Sequence, residues 1–233
     1  LLLLHFKMGY IMGKQKEITY NQLNQIKPVT DSQKLVFDTW KKGQNQFLFG
    51  CAGTGKTFIS LYLAMQDVLN LQTKYEKVIL VRSLIPTREI GFLPGDEEDK
   101  AALYQVPYQN MVKFMFEQPN EQAFNMLYDR LKSQGSLYFL STSFLRGLTF
   151  DNSIIIVDEC QNLNFHELDT ITTRVGQDSK IIYCGDFSQT DLLKQNERNG
   201  LHDFLRILEE MQEFNCVEFN ICLLYTSPSP RDT

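Results

Sequence analysis

The chain has 233 residues, of which 43% are hydrophobic and 22% are charged, as expected for a globular protein that buries a core. Its formal net charge of −5 excludes a surface coated in basic residues for non-specific nucleic-acid binding, although a local groove can still be basic. No apolar run approaches the roughly 20 residues that cross a bilayer, so no membrane partner is expected. Five scattered cysteines without zinc-ligand spacing predict reduced thiols and a cytoplasmic protein.

The first 25 residues are interpreted as an N-terminal flank. The sequence does not begin with Met, and Met8 and Met12 lie just inside it. Residues 1–11 are therefore interpreted as translated upstream sequence or as the product of an incomplete gene model. Further on, Thr30 or Asp31 is placed to cap a short helix that covers residues 34–40.

A glycine-rich stretch predicts a phosphate-binding loop. It reads Gly50-Cys51-Ala52-Gly53-Thr54-Gly55-Lys56-Thr57 and is followed by a helical pattern that starts at Phe58. In such a loop the backbone N–H groups wrap a polyphosphate, the lysine reaches the β- and γ-phosphates, and the Thr57 hydroxyl binds Mg²⁺. We therefore predict that residues 50–58 bind a nucleotide. A chance glycine-rich turn is disfavoured, because strand, loop and helix occur in the required order.

Gln33 precedes this loop by one predicted helix. Its carboxamide donates and accepts hydrogen bonds at once, which suits the edge of adenine. A solvated helix glutamine is the alternative, and the sequence favours the two interpretations equally.

Residues 78–81 form a continuous apolar run, which predicts a strand buried on both faces of a parallel sheet. Arg82 and Ser83 follow it, at the edge where α/β sheets bind ligands. They either contact a nucleic-acid phosphate or simply solvate the end of the strand.

A helical insertion is predicted around residues 96–133, with an interruption at Pro107. Its aromatic residues are able to stack on bases, but their helical spacing favours a place in the core. These residues are Tyr104, Tyr108, Phe114 and Phe116.

Two acidic residues follow the apolar run 154–157. Asp158 is predicted to hold Mg²⁺, and Glu159 to polarise the water that attacks the γ-phosphate. A solvated strand end is the alternative, and the phosphate loop elsewhere in the chain makes it the weaker one. Later in the chain, Gln189 follows the predicted strand 180–184 and is expected to sense the γ-phosphate, unless it lies in an ordinary polar turn.

Arg174 follows a predicted helix, and the sequence leaves two interpretations open for it. It either touches a phosphate or pairs with a surface acid. Beyond it, a helix is predicted over 201–211 and a last strand from Cys216.

With these residues in hand, the chain resembles the PhoH-like ATPases, which are related to the first RecA-like domain of superfamily 1 helicases. The motifs that carry the resemblance are the loop at 50–57, Gly91-Phe92-Leu93-Pro94-Gly95-Asp96 with Lys100, Arg146-Gly147, Val157-Asp158-Glu159-Cys160-Gln161-Asn162, Thr173-Arg174-Val175-Gly176, and residues 185–192.

The resemblance implies an α/β, RecA-like P-loop NTPase domain over residues 26–221, with a mainly parallel sheet flanked by helices. It implies hydrolysis of Mg-ATP to ADP and phosphate, with ATP and Mg²⁺ as ligands and Lys56, Glu159, Gln189 and Arg174 as catalytic residues. RNA or single-stranded DNA is the implied macromolecular partner, and a homo-oligomeric ring the implied assembly.

Residues 222–233 depart from the family pattern, because they are rich in Ser and Pro and lack periodicity. We interpret them as an unstructured tail or as translated adapter or assembly sequence in place of an arginine-bearing segment. A nucleotide-binding switch without efficient hydrolysis is therefore the alternative function, and a small-molecule or nucleotide kinase is disfavoured, since the glutamate is suited to activating water.

Overall fold

The computed structural model describes residues 16–83, 97–142, 145, 147–186 and 195–220, and only the backbone of 97–103 and 195–199. The strands are β1 (Asn45–Gly50), β2 (Lys77–Arg82), β3 (Leu137–Ser141), β4 (Ser153–Val157), β5 (Lys180–Gly185) and β6 (Phe214–Phe219). The helices are α1 (Asp31–Lys41), α2 (Lys56–Leu69), α3 (Glu97–Phe116), α4 (Glu121–Ser133), α5 (Phe165–Thr172) and α6 (Gln195–Glu210).

Within these ranges the strands form one six-stranded sheet in the order β3-β2-β4-β5-β1-β6. Every paired neighbour runs parallel, from the β2–β3 pair at one end to the β1–β6 pair at the other. The predicted parallel α/β architecture is confirmed. Because the strands are parallel, the phosphate loop after β1 and the acidic pair after β4 lie at the same edge of the sheet. They are separated there by one strand, β5.

The core has two layers because successive side chains of a strand point to opposite faces. Ile154, Ile156 and Ile182 pack on one face with the central helix α2, which is buried over most of its surface. Ile155 and Tyr183 pack on the other face with α5 and α6. Burial on both faces explains why the central strands are continuous apolar runs.

The first helix begins as predicted, because the Thr30 side chain accepts a hydrogen bond from the Gln33 backbone N–H. The helical insertion is also present, as α3 and α4. However, the predicted interruption at Pro107 is wrong, because α3 continues through it. Proline removes one backbone donor and strains the preceding turn, and the burial of Tyr104 and Tyr108 on the same helix favours its continuation.

Three of the four aromatic residues in the insertion are buried, as predicted, but the prediction fails for Phe114, which is 67% exposed. At the other end of the chain, α6 begins at Gln195 and not at Leu201, and β6 begins at Phe214 and not at Cys216. The turn-rich stretch 91–96 and residues 221–233 lie outside the described residues. Across the part of the chain that the structure describes, no helix is long and apolar enough to span a membrane.

Candidate functional site

The loop that follows β1 has the backbone of a phosphate cradle. Gly50, Gly53 and Gly55 have φ angles of 121°, 71° and 86°, in the region that L-residues rarely adopt. At Gly50 a Cβ atom would also overlap the backbone of Phe219 in the neighbouring strand β6. The path of the chain therefore requires these glycines.

The Lys56 side chain folds back over the loop. Its Nζ donates hydrogen bonds to the carbonyl oxygens of Gly50 at 2.9 Å and Cys51 at 2.6 Å, and contacts the Thr54 hydroxyl at 3.3 Å. Lys56 is only 8% exposed. The ammonium group thus lies inside the loop, where phosphate oxygens can replace the carbonyl oxygens as acceptors.

Helix α2 and strand β4 meet at the pair Thr57 and Asp158. The Thr57 hydroxyl donates to Asp158 Oδ1 at 2.6 Å, and the Asp158 backbone N–H donates to Val81 O at 2.9 Å. Residues 101 positions apart are therefore held together at the end of the sheet. The structure thus brings together the two side chains, Thr57 and Asp158, for which the sequence predicts magnesium binding.

Glu159 follows Asp158 in an unusual backbone conformation, with φ 52° and ψ 42°. Non-glycine residues in this region cost free energy and cluster at functional sites. Gln161 donates from Nε2 to Glu159 Oε2 at 2.5 Å, and its Oε1 accepts the Asp186 backbone N–H at 3.0 Å. Burial, and then the charge of Asp158, raise the pKa of the Glu159 carboxyl above its ordinary value.

Gln161 is 4% exposed and links the glutamate to the end of β5. In the sequence it stood out only as part of a motif. Its neighbours in the sequence are themselves polar, so its burial was not signalled there; the structure shows it, and a buried amide requires partners.

Gln33 is 3% exposed and lies beside the phosphate loop. Its Nε2 donates to Thr54 O at 3.4 Å, while its Oε1 accepts the Val29 backbone N–H at 2.8 Å. The solvated-glutamine interpretation is therefore wrong. Phe58, in the first turn of α2, stacks edge-on against Phe114 of α3 with ring centroids 5.7 Å apart.

Tyr108 is a further residue of the site, for which the sequence favours a place in the core over stacking on bases. Its hydroxyl donates to Asp158 Oδ2 at 2.6 Å, and its side chain is 1% exposed. A buried tyrosine hydroxyl normally finds a polar partner, which was the available signal. Burial raises the pKa of this phenol, and the negative charge of Asp158 adds to the effect, so Tyr108 remains a neutral donor.

Arg174 lies at the opposite edge of the sheet, and its assignment to this chain's own phosphate site needs correction. Phe150 and Val175 form a bridge just before β4 and β5 begin, and Arg174 Nη1 donates to Leu148 O at 3.5 Å. The chain returns to that edge through α5, whereas the phosphate loop lies where strands end. Gln189 lies outside the described residues.

The oxygen atoms of Thr57 and Asp158 fit a magnesium ion. Mg²⁺ binds oxygen ligands at 2.0–2.1 Å, so two adjacent octahedral ligands are roughly 3 Å apart, close to the 2.6 Å between Thr57 Oγ1 and Asp158 Oδ1. Among the residues with described side chains, no group of three or more His, Cys, Asp or Glu is placed to hold a metal ion.

Comparison with known proteins gives a consistent family match. Residues 25–222 match the family described as "PhoH-like protein". The curated relatives include Protein PhoH2 of Bacillus subtilis (strain 168), 34% identical over 62% of this chain and 32% of that protein. A PhoH-like protein of Synechocystis sp. is 32% identical over 80% of this chain and 54% of that protein. The chain thus spans about a third to just over half the length of these two relatives.

The solved structures with a similar fold include the large terminase of a thermophilic bacteriophage. The match has a TM-score of 0.50 and 13% identity, and it covers 88% of this chain and 48% of the terminase. At this identity the match supports the fold alone. It confirms the predicted P-loop, RecA-like architecture.

Proposed function

Because the chain belongs to the PhoH-like family of P-loop NTPases, we propose that it binds ATP with Mg²⁺ at residues 50–57 and hydrolyses ATP to ADP and phosphate. The observation that carries this proposal is the contact between Thr57 and Asp158, with Glu159 next in the chain. It joins a phosphate loop to a carboxylate pair at one edge of the sheet. Neither element alone distinguishes a nucleotide site from a glycine turn or a solvated strand end.

The loop supplies the positive groups for the triphosphate. Its backbone N–H groups and the N-terminus of α2 favour an anion, and Lys56 adds a full charge. On binding, the Lys56 ammonium exchanges its bonds to the Gly50 and Cys51 carbonyls for bonds to phosphate oxygens. Thr57 and Asp158 would hold Mg²⁺, which neutralises charge on the phosphate oxygens when bound.

Glu159 is suited to take the proton of the attacking water. Its raised pKa makes the Glu159 carboxylate a stronger base than that of an ordinary glutamate. Gln161 fixes one carboxylate oxygen by its 2.5 Å hydrogen bond and leaves the other for water. Removal of such a base costs roughly 10²- to 10⁴-fold in rate.

Phosphate release from ATP tests the proposal. Glu159→Gln should lower the rate by roughly 10²- to 10⁴-fold with ATP affinity retained, whereas Lys56→Ala should weaken ATP binding itself. The exposed residues Glu210 and Lys42 provide matched controls, as Glu210→Gln and Lys42→Ala. Unchanged release in both site variants would refute the assignment.

The switch without efficient hydrolysis is the competing outcome of the same experiment. It predicts ATP binding by the unaltered protein, loss of binding in Lys56→Ala, and no phosphate release above that of Glu159→Gln. A kinase would instead produce a phosphorylated acceptor in place of free phosphate.

We further propose that hydrolysis is coupled to RNA or single-stranded DNA. Family membership supports this proposal. Phosphate release measured with and without single-stranded RNA and DNA across a salt series tests it, because binding to a phosphate backbone weakens steeply with salt. A rate independent of both polymers would refute the coupling. Assembly into a ring stays a prediction, as does a cytoplasmic location.

A further inference from the structure

We propose that Tyr108 is a positioning residue for the magnesium carboxylate Asp158, and that it couples helix α3 of the insertion to the nucleotide site. The inference rests on the proposed ATP and Mg²⁺ binding. It goes beyond that function because it gives the helical insertion a role in metal binding.

The Asp158 carboxylate is held from two sides. Thr57 Oγ1 donates to Oδ1 and Tyr108 Oη to Oδ2, each at 2.6 Å, and the side chain is 7% exposed. Two short hydroxyl donors on separate helices fix the plane of the carboxylate. The Thr57 hydroxyl donates its hydrogen to Asp158, so the lone pairs of the Thr57 oxygen remain available to a cation.

Helix α3 is itself fixed in place at several points, so it can hold the tyrosine still. The Tyr108 ring packs against Phe139 of β3 with ring centroids 5.6 Å apart. One turn earlier, the Arg82 guanidinium lies 5.6 Å from the centre of the Tyr104 ring. At the end of the helix, the Asn24 backbone N–H donates to Met115 O at 2.8 Å.

Loss of the Tyr108 hydroxyl should affect the affinity for Mg²⁺ first and the hydrolysis of ATP only through it. Without the tyrosine hydroxyl, Asp158 Oδ2 loses the hydrogen bond from Tyr108, and the carboxylate is held only through Oδ1 by Thr57. Groups that orient a metal ligand commonly contribute about 10- to 100-fold to metal affinity. Tyr108→Phe removes only the hydroxyl oxygen and keeps the ring against Phe139.

The experiment titrates MgCl₂ into the protein with a fluorescent ADP analogue and repeats the binding measurement in EDTA. Tyr108→Phe should raise the half-saturating Mg²⁺ concentration by roughly 10-fold, with metal-free affinity unchanged. Tyr128→Phe is the matched control. Tyr128 is also buried in the insertion, and its hydroxyl bonds to Gln109, away from the carboxylate pair.

Equal Mg²⁺ dependence in the two variants, or a lower half-saturating concentration in Tyr108→Phe, would overturn the proposal. Absence of nucleotide binding by the unaltered protein would overturn the proposed function and this inference together. Hydrogen exchange gives a second test that does not depend on a variant. MgCl₂ added to the ADP complex should slow exchange of the amides of residues 104–116, and unchanged exchange would contradict the coupling.

Discussion

Replacement of Gln161 by leucine should separate the two groups that it links, Glu159, which we propose as the catalytic base, and the end of β5. Gln161 Nε2 donates to Glu159 Oε2, and Gln161 Oε1 accepts the Asp186 backbone N–H. Leucine fills a similar volume and makes neither bond. The change is therefore a test of the hydrogen bonds more than of packing.

The expected loss of stability follows from the two bonds. Glu159 is partly exposed, so water replaces Gln161 there and the loss is about 1 kcal/mol. At Asp186 the N–H group is buried, and a buried donor that loses its partner costs about 1–3 kcal/mol. Together the free energy of unfolding should fall by roughly 2–4 kcal/mol.

Gln161→Leu should also shift the pH dependence of ATP hydrolysis in one direction. Gln161 stabilises the ionised form of Glu159 and lowers the pKa of that carboxyl, whereas burial raises it. Hydrolysis needs the carboxylate, so its rate falls as the pH drops through this pKa. Without Gln161 the pKa rises further, and the acid limb of the pH–rate profile moves to higher pH.

Urea unfolding and phosphate release between pH 5.5 and 8 provide the two measurements. Gln72→Leu, at an exposed glutamine, is the control for the change in residue type. A loss of stability below 0.5 kcal/mol, or an acid limb that moves to lower pH, would refute the link.

Two further predictions concern the sheet. Gly185→Ala should lower the free energy of unfolding by about 1–3 kcal/mol, because the new Cβ would lie 2.6 Å from Cys160 Sγ. Adding Cys160→Ala to the same chain should recover most of this lost stability, as measured by urea unfolding. If the losses of the two variants simply add, the contact is contradicted. Burial lowers the pKa of Lys180, whose ammonium lies 4.0 Å from the centre of the Trp40 ring, to about 8. A lowered lysine pKa means that the unfolded chain binds more protons, so stability should rise by roughly 2 kcal/mol between pH 8 and 10, relative to Lys180→Met; parallel pH profiles of the two proteins would count against the pKa shift.

The sheet could be predicted from sequence because its signals are local. Residues 78–81 and 154–157 are uninterrupted apolar runs. Such a run is enough to predict a strand that is buried on both faces of a sheet. The phosphate loop could also be predicted from the sequence, because the path of its backbone requires glycine at fixed positions. The continuous helix through Pro107 was missed because burial of its neighbours outweighs a local preference.

The contacts of Tyr108 and Gln161 could not be predicted in the same way. Tyr108 lies 50 residues before Asp158, and its helical spacing indicates only that one face of α3 is buried. Which polar atom meets the hydroxyl depends on how α3 packs over the ends of β2 and β3. The spacing gives the face of the helix, whereas the partner is set by tertiary structure.

Arg174 illustrates a constraint that the sequence did contain. In a parallel sheet every strand ends at one edge, and every connecting helix returns the chain to the other. A polar residue directly after a strand, such as Asp158 or Asp186, therefore lies at the ligand edge. Arg174 follows a helix and precedes a strand, so connectivity alone places it at the far edge, where its backbone O accepts the Phe150 N–H. For polar residues in this fold, the preceding element is thus a better guide to the site than residue type, because it determines the edge at which the side chain begins.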